Sequence, residues 1–159
     1  MKKIILGIDP GIADTGYGII EVEANHKLKC LDYGTIKTEA KESLSFRLGE
    51  LNKKLDAIIK EYQPDLAAVE QLFFCANVKT ALTVGQARGV ILLSLIQNQV
   101  PIKEFTPLQV KQAVSTYGKA SKLQVQKMVM MILGLEEIPK PDDAADALAA
   151  AICAVNFLK

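Results

Sequence analysis

The order of hydrophobic periods predicts an α/β fold, a mixed five-stranded sheet flanked by helices. Three observations carry this. Three strand-like runs separated by short polar turns come first, helix-like and strand-like segments then alternate, and the chain closes on further helical segments. Hairpins make the first part antiparallel, whereas each helical crossover makes the strands it joins parallel and lays a helix on the sheet.

Lys3 to Asp9 is a short apolar strand. Thr15 to Glu23 is a second, with Tyr17 and Ile19 on one face, and Lys27 to Thr38 is a third; His26 falls in the polar hairpin between them. Leu44, Leu48, Leu51, Leu55, Ile58 and Ile59 then recur at mostly three- and four-residue spacing, with Ser43 as N-cap and Pro64 as the stop, which predicts a surface helix over the sheet. Asp65 to Glu70 reads as a buried strand, Asn77 to Gln99 as a long apolar helix, and Val100 to Phe105 as the fifth strand. Thr106-Pro107-Leu108-Gln109 carries a capping box with proline at the first helical position, and Ser121-Lys122-Leu123-Gln124 repeats the box. Pro139-Lys140-Pro141 punctuates before a final helix from about Asp142, with Asp142 as its cap. This order resembles that of the ribonuclease H-like fold.

A chain of 159 residues predicts a single domain spanning 1–159, and no window is rich in serine, proline or like charge, so neither a linker nor a disordered tail is expected. The apolar runs Gly89 to Ile96 and Ala144 to Leu158 fall short of the ~20 residues of a spanning helix, and the N-terminus lacks the plan of a secretory signal. A cytoplasmic protein without a membrane partner is expected. Cys30, Cys75 and Cys153 are odd in number and widely spaced, and His26 is the one histidine, which argues against a disulfide framework and a nitrogen or sulfur metal site.

Acids at four places point to a different metal chemistry. Asp9 closes the run Ile4-Ile5-Leu6-Gly7-Ile8-Asp9, Glu70 closes Leu66-Ala67-Ala68-Val69-Glu70, and Asp143 and Asp146 lie three apart at the head of the alanine-rich last helix, on one face. Each alone has an ordinary explanation: a turn aspartate before Pro10-Gly11, or first-turn acids that favour the helix dipole. Glu70 at the end of a buried strand has none. Gathered together, like charges about 4 Å apart would repel by roughly 4 kcal/mol at an effective dielectric near 20, so the cluster needs cations to stay ionised. Oxygen-only ligands select hard ions such as magnesium. Net charge is +1, yet setting the four acids aside leaves 14 against 19 bases, a balance that suits an anionic substrate.

Gly7-Ile8-Asp9-Pro10-Gly11, Thr15-Gly16-Tyr17-Gly18, Val69-Glu70-Gln71-Leu72-Phe73, Gly85-Gln86-Ala87-Arg88-Gly89-Val90 and Asp143-Ala144-Ala145-Asp146-Ala147-Leu148-Ala149 together resemble the bacterial RuvC family of Holliday junction resolvases, nearly end to end. The resemblance implies a homodimeric endonuclease that makes two symmetric cuts in four-way junction DNA during recombination and repair, leaving 5′-phosphate and 3′-hydroxyl ends. Asp9, Glu70, Asp143 and Asp146 would be its catalytic residues and hold two Mg2+ ions per subunit, for which Mn2+ can substitute, with Asp9 bridging. A branch-migration helicase complex is the implied partner. Lys111 and Lys122 resemble basic positions near the scissile strand, and Lys119 and Lys127 lie beside them. Phe73, just past Glu70, is expected to stack on an opened base. Arg88 should reach solvent or pair across a helix interface, and the Gly85 and Gly89 spacing makes that helix the dimer candidate. Many family members continue with a basic tail where this sequence stops at Lys159, so weaker non-specific affinity is expected.

Two alternatives differ in class. Gly7 to Gly11 followed by Thr15-Gly16 also resembles the first phosphate loop of actin-like and sugar-kinase ATPases, although no Walker-type lysine loop is present. A non-catalytic junction-binding module would leave the carboxylates idle.

Overall fold

Short turns fold the first three strands back on one another, β1 (Lys3–Asp9), β2 (Asp14–Val22) and β3 (Leu28–Lys37), and His26 takes a left-handed turn conformation (φ 63°) between the last two. The computed structural model describes residues 2–71, 77–115 and 118–158. After the meander come α1 (Leu44–Tyr62), β4 (Leu66–Glu70), α2 (Val78–Gln97), β5 (Ile102–Phe105), α3 (Pro107–Val114), α4 (Lys122–Leu133) and α5 (Asp142–Ala154), which ends in a 3-10 turn, Val155–Phe157. The sheet order is β3-β2-β1-β4-β5, antiparallel through the meander and parallel from β1 through β4 to β5. The mixed five-stranded sheet is therefore as the periods indicated.

Alternation along the strands divides the core. Leu6, Ile8, Ile19, Ala67 and Val69 face α1 and α2, whereas Ile5, Ile20, Leu66 and Ala68 face α3, α4 and α5. Ser43 caps α1, Asn77 caps α2, and both capping boxes form at the starts of α3 and α4. Two boundaries shift. The turn at Asn98 and Gln99 (φ 59°) ends α2 early, and β5 begins at Ile102 because Pro101 has no N–H to donate, although its carbonyl accepts from the Ala67 amide at 2.8 Å.

Helix α5 lies against bare backbone. A Cβ on Gly7 would come 1.9 Å from the Ala147 carbonyl oxygen, one on Gly16 1.9 Å from that of Asp143, and one on Gly18 2.6 Å from Leu148. Glycine in β1 and β2 and alanine in α5 therefore make the close approach possible. Helix α2 behaves differently. It is long and apolar enough to cross a membrane, with mean hydropathy 1.2, and only 22% of that stretch is buried within the fold. The apolar run Gly89 to Ile96 alone falls short of spanning length, as expected, but the whole helix reaches it, because threonine, serine and glycine extend the run and Lys79 and Arg88 are its two charges.

Candidate metal centre

Strands β1 and β4 are parallel neighbours with Ile8 opposite Val69, so Asp9 and Glu70 leave the sheet side by side at its carboxyl end. Alternation points both toward α5, the side of Ile5 and Ala68. Asp9 is also paired with Gly16, on whose bare backbone the Asp143 carbonyl rests, and this contact brings the head of α5 over β1. One oxygen each from Asp9, Asp143 and Asp146 lies within 4.8 Å of the others, the one such cluster of potential metal ligands among the described residues. Glu70 lies outside that trio, beside Asp9 on the neighbouring strand, and its charge acts on Asp9.

Burial and crowding of like charge hold protons on this cluster. Asp9 is pushed up to about 8, first by desolvation and then by Glu70, Asp146 and Asp143. Desolvation and Asp146 raise Glu70 to about 7, and desolvation raises Asp146 against the opposing pull of Lys122. The donor set fits a hard divalent cation: all oxygens, partly buried, and strained by mutual repulsion that a cation would relieve.

The bases fall into place unequally. Lys122 turns inward, with Nζ 3.2 Å from Asp142 and 3.6 Å from Asp146. Lys111 is exposed on α3, and its charge acts on Glu70. Glu70, Lys111, Lys122 and Asp146 line one small cavity of about 170 Å³. A larger one, about 370 Å³, lies at the opposite end of the parallel strands between Lys3, Lys103 and Phe157, remote from the carboxylates. Lys119 and Lys127 are exposed, Lys119 in the turn before α4. Phe73 and Cys75 lie outside the described residues.

Two expectations are corrected. Asp142 is not the cap of α5: Pro141 holds that position without a side-chain bond, and Asp142, the first helical residue, reaches to Gln126 and Lys122 of α4 instead. Arg88 pairs within the chain, with Glu104 of β5. Neither Asp142 nor Gln126 stood out as functional in the sequence; the four-residue spacing of Lys122 and Gln126 was the available signal.

A family profile for crossover junction endodeoxyribonuclease RuvC matches residues 5–154. Among curated relatives, the crossover junction endodeoxyribonuclease RuvC of Caldicellulosiruptor saccharolyticus is 58% identical over 149 residues, covering 94% of this chain and 90% of the relative. That of Heliobacterium modesticaldum is 57% identical over 155 residues, covering 98% and 95%. Among solved structures, Thermus thermophilus RuvC superposes with a TM-score of 0.89 at 36% identity, and T. thermophilus RuvC in complex with Holliday junction substrate with 0.87 at 34%; each comparison covers 97% of this chain and 94% of the other. The yeast mitochondrial Holliday junction resolvase, at 15% identity and TM-score 0.69, shares the fold. With its ribonuclease H-like architecture and matches of this extent, the chain belongs to the RuvC family of crossover junction endodeoxyribonucleases.

Proposed function

We propose that this chain, as a single nuclease domain over 1–159, resolves four-way DNA junctions by metal-dependent phosphodiester hydrolysis. The observation that carries it is the carboxylate cluster, whose raised proton affinities mark a site that favours added positive charge. Asp9, Asp143 and Asp146 would hold one ion and Asp9 with Glu70 a second, magnesium being the ion such hard oxygen donors suit and manganese its substitute. Bound there, such ions supply charge relief to the attacking and leaving oxygens of the phosphodiester. The residues of the chain do the rest. Asp9 and Glu70, both raised by burial and by neighbouring acids, act as ligands in their ionised forms. Lys111 and Lys122, at the rim of the same cavity, meet the phosphate, Lys119 extends that contact along the DNA, and Phe73 is assigned to stack on an opened base.

Two opposed cuts need two sites related by a twofold axis. Helix α2 suits that role, because Val78, Leu82, Leu93 and Ile96 are exposed and Cβ atoms at Gly85 and Gly89 would meet nothing within 4 Å. We take this face as the seat of a second copy in a cytoplasmic homodimer, working with a branch-migration helicase complex as the family resemblance implies. Family membership does not favour an ATPase or an idle binding module.

The test is incubation of the chain with a labelled four-way junction and with a linear duplex of the same sequence, in magnesium or in chelator. Paired symmetric cuts in the junction alone, dependent on magnesium, are expected. Equal cutting of the duplex, or none of either, overturns the reading.

A further inference from the structure

Asp142 is exposed at the head of α5, yet its two oxygens are both engaged by α4. Oδ1 accepts from Gln126 Nε2 at 3.0 Å, and Oδ2 meets Lys122 Nζ at 3.2 Å. Lys122 and Gln126 are one helical turn apart and present to α5 together. Gln126 is only 7% exposed, one of three buried polar residues among those described. A buried amide is costly to leave unpaired, so its bond fixes the direction in which the Asp142 carboxylate faces. With Pro141 at the cap position, that carboxylate is not drawn toward the first amides of α5.

The ammonium of Lys122 is therefore shared between an acid inside the cluster and one outside it, since Asp146 lies 3.6 Å away. A lone surface ion pair holds a lysine weakly, and its four-carbon stem is flexible. An acid oriented by a buried amide adds a second, fixed attachment. We propose that Asp142, oriented by Gln126, is a positioning residue that holds the Lys122 ammonium at the rim of the carboxylate cluster. This rests on the reading of the cluster as a metal centre. When cations take up the charge of Asp146, Lys122 keeps Asp142 as its partner and stays where a phosphate would arrive. Without Asp142, the ammonium has Asp146 as its remaining close acid and competes with the cation for it.

The test combines Asp142→Ala, Asp142→Asn, Gln126→Leu, Lys122→Ala and the Asp142→Ala/Lys122→Ala double variant with three readouts. In chelator, acylation of the Lys122 amine followed by mass spectrometry should quicken severalfold in Asp142→Ala and in Gln126→Leu. In a magnesium titration of melting temperature without DNA, Asp142→Ala should raise the midpoint by about three- to tenfold, yet by less than about twofold when Lys122 is already alanine, the non-additivity expected of coupled residues. Single-turnover junction cleavage should slow by about tenfold in Asp142→Ala, equivalent to one decade of rate constant, with junction affinity unchanged or tighter. Asp142→Asn, which keeps the Gln126 bond and loses the charge, should fall between. Unchanged acylation, or an Asp142→Ala effect of equal size with and without Lys122, overturns the proposal. A wild-type melting temperature indifferent to magnesium overturns the metal-centre reading instead, and acylation still decides whether Asp142 holds Lys122.

Discussion

Helices α2 and α5 are both apolar along most of their length, yet ten of the thirteen residues of α5 are buried against four of the twenty of α2. Side-chain size and the surface beneath explain the difference. Alanines let α5 settle on the glycines of β1 and β2 until backbones touch, and the remaining sides close under α3 and α4. Helix α2 reaches the sheet through Ala87, Ile91 and Leu95, and its larger residues Leu82, Leu93 and Ile96 stand away from it. Mean hydropathy therefore says that a helix wants cover, and packing says whether its own chain provides it.

The largest effect that would break this comparison is Gly7→Ala. Its methyl would sit 1.9 Å from the Ala147 carbonyl, where only backbone could yield, so α5 would be lifted off the sheet. Overpacking of this severity should cost about 3 kcal/mol or more, read as a much lower urea midpoint, and should scatter the carboxylates. An unchanged midpoint would mean that the approach is looser than described.

Asp146→Asn tests the head of α5 without moving it. The amide keeps the volume, so the fold should persist while cleavage falls by about 100-fold or more, the scale of losing a charge-stabilising group. Junction affinity should stay equal or rise, because one negative charge near the phosphates is gone. Resolution at near wild-type rate would remove Asp146 from the metal site.

A smaller effect follows from pH. Asp9 and Glu70 titrate near 8 and 7 in the fold, above their ordinary 3.8 and 4.5. The folded state thus binds more protons than the unfolded one in between, and stability must fall as pH rises. Their contribution is full below about pH 4, the ordinary carboxylate range, and is lost as pH passes through the folded values. In chelator the melting temperature should decline from pH 5 toward pH 8, and magnesium should restore it at the alkaline end and do little at the acid end. A rise with pH in chelator would refute the crowding of these acids.

The mildest test sets one chemical change in the opposite context. Gly89→Ala in α2 meets nothing within 4 Å, so helix propensity alone should stabilise a lone protomer by up to about 1 kcal/mol. If the α2 face seats a second copy, the same methyl should weaken association, measured by sedimentation against concentration. Leu82→Glu should weaken it further while leaving the urea midpoint of the separated protomer unchanged.

Strand and helix order, the caps Ser43, Thr106 and Ser121, and the placing of Asp9 and Glu70 were legible because each rests on local chemistry: period, capping side chains and strand ends. The way α5 sits was less so. Gly7, Gly16 and Gly18 share one face of the sheet opposite an alanine-rich helix, a match of small on small that becomes visible only when two distant segments are compared. Asp142 was misread for a related reason. A first-turn acid beside proline suggests a cap, and nothing local reveals that α4 brings Gln126 and Lys122 to its side. The outward face of α2 shows the same limit in reverse, since an apolar period predicts burial without naming the partner.

The close seat of α5 on β1 also has a consequence in time. Synthesis delivers β1 well before α5, so until residue 154 is free that face of the sheet lacks its central helix and Asp9 lacks Asp143 and Asp146. Contacts between such distant segments close late because a long intervening chain must first be ordered. The cluster of Asp9, Asp143 and Asp146 therefore cannot assemble while only the strands have been made, and it forms after α5 has joined the sheet.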